Sequence, residues 1–293
     1  MRELDDVRQG RPPTPGASLL LASRSLLSVT DLGDHWTSME SANDPDWFVR
    51  FLDSTSTRPG EHHPAVALLE LDPDQRCLDV GCGVGEDARS IAEVYGARVV
   101  GVDVNTRMVR ESRSRSAGHD GLTFLVAEAA RLPFADSSFD AAWVKRTLMH
   151  LADPGGVIAE MARVVRPGGR VAAVEPDSEV VLLDSGLVDV TRRLLAYRAG
   201  GHACAWAGRQ LRRLMLEAGL TDVRATVNST EFTGLAEAEA RLRLISTAIA
   251  AARQGILTTT EAAQWEEDLR DRDSRGVFAC YLITFVAQGR RPE

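Results

Sequence analysis

Three glycines, Gly81, Gly83 and Gly85, sit in the segment CLDVGCGVGEDARSIA (Cys77 to Ala92), between an apolar run ending at Val80 and a helical pattern beginning near Glu86. Glycine at a strand-to-helix turn tolerates positive φ and lets a ligand approach the backbone, with the first amides of the helix aimed at it. A turn this rich in glycine after a buried strand implies a nucleotide-like ligand rather than a bare change of direction. The rest of the chain agrees with that start. Beyond Pro64, short apolar runs alternate with amphipathic stretches, and strands are expected at 76–80, 98–103, 122–127, 139–144 and 170–174. Helices are expected near 86–95, 105–116 and 153–165. Such alternation builds a doubly wound α/β fold, a parallel sheet with helices on both faces.

The flanks are less regular. Residues 1–16 are polar and rich in Pro and Gly and read as a flexible leader, and 17–64 as a helical cap carrying Trp36, Trp47, Phe48 and Phe51. Residues 65–293 then form the main domain, with an insertion at about 178–206 that reads as helical through 203. Arg209 to Ala218 is an amphipathic helix stopped by Gly219. The apolar runs 223–232 and 277–287 have strand character and bracket helices near 235–253 and 261–272, the second opened by a capping box of Thr258 and Glu261.

Composition narrows the function. The 293 residues carry 34 basic and 42 acidic side chains, a net charge of −8 with no long basic run, which argues against binding a nucleic-acid backbone. No apolar stretch reaches about 18 residues, so no membrane span is expected. The run 17–29 follows an acidic, proline-containing leader instead of a basic one, so a cytoplasmic protein is expected. Cys77, Cys82, Cys204 and Cys280 show no CxxC spacing, and neither a disulfide framework nor a metal site is indicated.

The nature of the ligand is an electrostatic question. In the dinucleotide fingerprint GxGxxG the third glycine would fall at position 86, where this chain has Glu86, and Asp79 lies just before the first glycine. Two carboxylates repel a pyrophosphate but suit a cofactor that carries a sulfonium and an ammonium. Asp103, at the tip of RVVGVDVN, can accept from both ribose hydroxyls. At the next strand tip, Glu128 can meet an adenine amine and Ala129 can offer a backbone amide, with Leu132 and Phe134 walling the base.

LDVGCGVG, GVDVN, AEAARLPF, FDAAWVKRTLMHLADP and RVVRPGGRVAAVEPD, dense over residues 76–177, together resemble class I S-adenosylmethionine-dependent methyltransferases. The nearest likeness is to the ubiquinone- and menaquinone-biosynthesis-like group that acts mostly on small molecules. The resemblance implies a Rossmann-like, seven-stranded, mostly parallel sheet with a final antiparallel hairpin, and S-adenosylhomocysteine as the released product. The cofactor set it implies is Asp79, Gly81, Gly83, Gly85, Asp103, Val104, Glu128, Ala129 and Lys145.

Methyl transfer from a sulfonium asks the enzyme mainly to position a nucleophile and, where needed, to remove its proton. His150 and His202 are the candidate general bases, each weighed against a structural role. Trp36, Glu175 and Trp206 are candidate acceptor contacts, with Asp177 a further polar candidate beside Glu175. Arg50 could meet the cofactor carboxylate from the cap, and the adjacent His62 and His63 do not by themselves make a metal site.

The reading is a small-molecule methyltransferase, acting on a bacterial secondary metabolite. A homodimer is left open, because an apolar cap could cover substrate or a second subunit. Two rivals stand beside it: an S-adenosylmethionine-binding protein with other chemistry, and an NAD-dependent oxidoreductase that tolerates Asp79 and Glu86.

Overall fold

The computed structural model describes residues 47–55 and 63–293; the leader and most of the expected cap, Trp36 and His62 included, lie outside the described residues. Helix α1 (Trp47–Thr55) and a short 3-10 turn (Pro64–Leu69) lead into β1 (Arg76–Val80), α2 (Glu86–Tyr95), β2 (Arg98–Asp103), α3 (Thr106–Arg115) and β3 (Leu122–Val126). Then come β4 (Phe139–Lys145), a 3-10 turn (Leu148–His150), α4 (Pro154–Val164), β5 (Val165–Leu183), α5 (Val188–Gly200), α6 (Ala207–Glu217) and β6 (Thr221–Phe232). Helices α7 (Leu235–Leu242), α8 (Leu244–Arg253) and α9 (Thr259–Ser274) precede β7 (Cys280–Arg290).

The seven strands form one sheet in the order β3-β2-β1-β4-β5-β7-β6. β1 to β5 are parallel, and β7 runs antiparallel between β5 and β6. The expected final hairpin is thus the β6–β7 pair, with α7, α8 and α9 inserted between its arms. β1 and β4 read as near-continuous apolar runs because helices cover both faces of the sheet, and Cys77, Leu78, Val80 and Trp143 are wholly buried. One face packs Leu78, Phe139, Ile158 and Met161 under α4 and α6. The other packs Cys77, Ile91, Val109 and Trp143 under α2, α3 and the first 3-10 turn.

Local chemistry sets the helix starts. Asn105 caps α3 by accepting from the amides of Arg107 and Met108, and Asp153 caps α4 ahead of Pro154. Thr258 and Glu261 form the expected reciprocal cap of α9.

The insertion differs from expectation at its start. Residues 178–183 are strand rather than helix: after a register shift beyond Pro176, Val181 to Leu183 pair with Cys280 to Leu282 and carry β5 past the sheet's edge. The outer ends of β5, β6 and β7 support a second core, in which α5, α7, α8 and α9 pack around Trp265, Leu194, Phe232 and Leu269. Trp265 is fully buried, and its indole N–H donates to Thr191 Oγ1 at 2.8 Å. The expected helix at 235–253 is broken at Arg243 (φ 54°), where the carboxylate of Glu239 takes the amides of Ile245 and Ser246. This helical unit is a lid of the second half of the chain; α7 also packs against α1. No helix among the described residues is long and apolar enough to cross a membrane.

Candidate functional site

The carboxyl ends of β1, β2, β3 and β4 open into a cleft of about 400 Å³. The glycine loop forms its floor. Gly81, Gly83 and Gly85 have φ of 71°, 51° and 77°, values that a Cβ disfavours. Their surroundings differ, however. A Cβ on Gly81 would lie 2.2 Å from Thr147 Oγ1, and one on Gly85 would lie 2.9 Å from the ring of Phe124, whereas at Gly83 the nearest atom is Leu52 Cδ1 of α1 at 3.3 Å. Gly81 and Gly83 line the cleft; Gly85 does not, and its missing side chain instead lets α2 pack against β3.

Asp103 stands at the tip of β2 in the cleft wall. Its Oδ2 accepts from the Gly83 amide at 2.9 Å and its Oδ1 from the Asn105 amide at 2.8 Å. Burial raises its pKa while those two amides hold it down. Each oxygen keeps a lone pair for a ligand hydroxyl. Val104, Glu128 and Ala129 line the same wall, with Leu151 and Val157 opposite.

Lys145 also faces the cleft, but its ammonium is held 2.5 Å from Asp87 Oδ1 at the start of α2, and the Trp143 indole N–H donates to Asp87 Oδ2 at 3.1 Å. That pair and the indole keep the Asp87 carboxyl below the usual range despite its burial. Asp87 was not singled out from the sequence; an acid in the first turn after a glycine loop, two β4 residues of matching chemistry away, is the signal that could have found it. Arg146 and Thr147 complete this edge, Arg146 in a left-handed conformation at φ 54°.

Several expected contacts lie elsewhere. Asp79 is buried behind the loop with Oδ2 unpartnered, and burial beside Asp87 raises its pKa well above the ordinary value, favouring the protonated form. It does not line the cleft, whose acidic residues beside the loop are Glu86, Asp87 and Asp103. Leu132 is in the core and Phe134 stacks edge-on to Phe139 at 4.9 Å, so neither walls the cleft. Glu175 is fully buried, its Oε1 accepting from the amides of Thr147 at 2.7 Å and Leu148 at 2.8 Å; it builds the turn after β4 instead of meeting an acceptor. Asp177 is likewise buried and paired with Arg209, and Trp206 lies half exposed over the same arginine, away from the cleft. Arg50 is exposed, and Leu52 is the α1 residue that reaches the cleft. His63 caps the first 3-10 turn, its Nδ1 accepting from Ala65 at 3.2 Å.

The two candidate bases are neighbours. The rings of His150 and His202 lie 5.5 Å apart, His150 in the cleft wall and His202 behind it. Burial holds both below the ordinary histidine pKa, His202 at about 4, and so keeps both imidazoles neutral near pH 7.

Comparison with known proteins settles the family. The family described as "Methyltransferase domain" matches residues 78–173. An uncharacterized 37.1 kDa protein of a Streptomyces fradiae transposon is 31% identical over 246 residues, covering 82% of this chain and 71% of that protein. Methyltransferase GfsG of Streptomyces halstedii is 44% identical over 110 residues, which cover 36% of this chain and 40% of that one. The chain belongs to the class I S-adenosylmethionine-dependent methyltransferases. The YcgJ protein of Bacillus subtilis shares the fold at a TM-score of 0.55 and 20% identity, covering 79% of this chain and all of that one. The 27-O-demethylrifamycin SV methyltransferase of Amycolatopsis mediterranei is 38% identical over 108 residues, 36% of this chain and 40% of its own length. This chain thus spans about two-fifths of the length of these named methyltransferases.

The methyltransferase cleft fits S-adenosylmethionine on its own chemistry. Its volume lies within the range of a ligand pocket, Asp103 has lone pairs to spare, and Gly83 leaves the loop backbone bare. The one lysine of the chain is already paired with Asp87, so the loop offers no free ammonium to a phosphate.

Proposed function

We propose that this methyltransferase alkylates a hydroxyl of a small secondary metabolite in the cytoplasm, with His150 as general base. The observation that carries the reading is a neutral imidazole in the wall of the cofactor cleft, fixed on the turn that Glu175 holds. A neutral histidine can take the proton that an oxygen nucleophile must lose, which a nitrogen nucleophile need not. Support also comes from the relatives, several of which are named O-methyltransferases or, in the rifamycin case, act on an oxygen.

Asp103, Gly81, Gly83, Val104, Glu128 and Ala129 hold the cofactor, which when bound supplies an electrophilic methyl on a sulfonium with a neutral thioether as leaving group. Asp103 takes the ribose hydroxyls, Glu128 the adenine amine and the Ala129 amide a ring nitrogen. Lys145 acts indirectly by fixing Asp87 and the start of α2. His202 backs His150 and limits its rotation, a positioning role. Leu52 of α1 stands over Gly83 and lines the cleft, so α1 covers that side of the loop.

The test is methyl transfer from labelled S-adenosylmethionine to a panel of hydroxylated and aminated small molecules, wild type beside His150→Gln. Label on oxygen acceptors, cut about 100-fold or more in kcat by the substitution with S-adenosylhomocysteine binding unchanged, supports the assignment. Label on nitrogen acceptors, or an unaffected kcat, overturns it.

A further inference from the structure

The cofactor loop and the turn that carries His150 meet at one residue. β4 leaves the sheet through Arg146, whose amide donates to the Val174 carbonyl at 2.9 Å and whose φ is 54°. Thr147 follows, lines the cleft and lies over the end of β1, its hydroxyl reaching the Lys145 carbonyl at 3.1 Å and the Val80 carbonyl at 3.5 Å.

The Thr147 side chain occupies the space that Gly81 leaves. A Cβ at position 81 would lie 2.2 Å from Thr147 Oγ1, 2.6 Å from Cγ2 and 2.9 Å from Cβ. Rotating the threonine would not clear that space, because its Cβ is itself in the way and a β-branched side chain has few χ1 positions open to it. The loop can therefore come no nearer to the end of β4 than Thr147 allows.

The backbone of Thr147 belongs to the other half of the site. Its amide donates to Glu175 Oε1 at 2.7 Å, beside that of Leu148, and its carbonyl accepts from the His150 amide at 3.0 Å, which closes the 3-10 turn. One residue thus has its side chain against the glycine at the cleft floor and its main chain in the turn that places the imidazole. Group transfer is sensitive to such spacing, since a misplacement of about 1 Å can cost on the order of 100-fold in rate.

We propose that Thr147 is a positioning residue for methyl transfer, which sets the separation between the donor held over the glycine loop and the base at His150. The proposal rests on the methyl-transfer reading above and names the residue through which its two halves are held in place.

Two readouts on the intact protein follow the two halves, and neither needs an acceptor. One is the Kd of S-adenosylhomocysteine by calorimetry; the other is the rate at which diethylpyrocarbonate modifies His150, read by peptide mass spectrometry against the exposed His119. Thr147→Ala is expected to weaken S-adenosylhomocysteine about tenfold and to raise the His150 rate about fivefold relative to His119. Thr147→Ser, which keeps the hydroxyl, is expected to stay within about threefold of wild type in both. A merely structural role would lower the Tm of Thr147→Ala and leave both readouts where they were. That result, or a change in only one of the two, overturns the proposal.

A double-mutant cycle tests the contact with Gly81 on its own. Gly81→Ala brings both an unfavourable φ and the clash, and is expected to weaken S-adenosylhomocysteine about 100-fold. Combined with Thr147→Gly, which removes only the clash, the loss is expected to fall short of the product of the two single effects by about tenfold. Simple multiplication of the two effects would mean that φ alone makes glycine necessary, and overturns the proposal. If Gly81→Ala does not fold, the comparison of Thr147→Ala with Thr147→Ser decides alone. Failure of the wild type to bind S-adenosylhomocysteine strikes the methyl-transfer reading, whereas a wild type that binds while Thr147→Ala matches it in both readouts strikes this proposal only.

Discussion

The cofactor half of the sheet and the helical lid are built by different means. Around β1, β2 and β4 the site is written in backbone: glycines at positive φ, an aspartate holding two loop amides, a carboxylate holding two turn amides. The lid is written in side-chain volume, with α5, α7, α8 and α9 closed around Trp265, Leu194 and Phe232. A backbone device demands particular residue types at particular spacings and so leaves a mark in sequence. A packed helical core accepts many apolar residues of suitable size and leaves little beyond its amphipathic pattern.

The comparison predicts separable failures. Trp265→Ala should have the largest effect, lowering stability by about 3–5 kcal/mol through a cavity in the lid and removing the indole N–H that donates to Thr191 Oγ1. If the halves are as distinct as described, the variant kept folded at low temperature still binds S-adenosylhomocysteine in calorimetry. Loss of that binding would show that the lid shapes the cofactor site as well.

Glu175 tests the boundary between the halves through pH. Burial pushes its pKa up to about 7 from an ordinary 4.5. A carboxyl raised in the folded state gives its stabilisation fully below about pH 4.5, and that stabilisation is lost as pH climbs through 7. Glu175→Gln should therefore flatten the fall of Tm between pH 4.5 and 7.5, a change on the order of 3 kcal/mol. It keeps an acceptor for the Thr147 and Leu148 amides, so an unaltered pH profile would mean that the group titrates elsewhere.

Asp103→Ala comes next. It should weaken S-adenosylhomocysteine binding in calorimetry by about 1–3 kcal/mol, roughly five- to 150-fold, with little change in the Tm of the unliganded protein. Trp206→Ala should do least. With the residue 49% exposed and its ring stacked on Arg209, truncation is expected to change stability by no more than about 0.5 kcal/mol and cofactor affinity not at all, both readable in one thermal-shift titration.

What was legible in the sequence follows the same division. The glycine loop, Asp103 and the strand tips announced the fold and the cofactor wall, because each needs a residue type that a turn or a tip enforces. Charge was harder to read. Asp79 and Glu175 look like exposed acids beside glycine and proline, but each lies inside the sheet, where burial rather than residue type sets its protonation. Lys145 stood out, yet its partner Asp87 is 58 residues away in sequence, and such a pairing exists only once β4 lies beside β1. The lid hid for another reason: the polar run Glu175 to Glu179 reads as the end of a strand, yet β5 continues through it to Leu183 and pairs with β7 again after a register shift.

The order β5-β7-β6 bears on how the protein is made. β7 is the last of these strands to leave the ribosome, yet its place is between two strands already synthesised. Until Cys280 to Arg290 emerge, β5 and β6 have no partner for their facing edges, and the ends of three strands that anchor the lid cannot meet. The nascent chain therefore carries a finished nucleotide-binding half beside two open strand edges, the kind of template on which chains cross-pair. Its yield in the cell should be governed by how long that interval lasts, more than by the equilibrium stability of the completed enzyme.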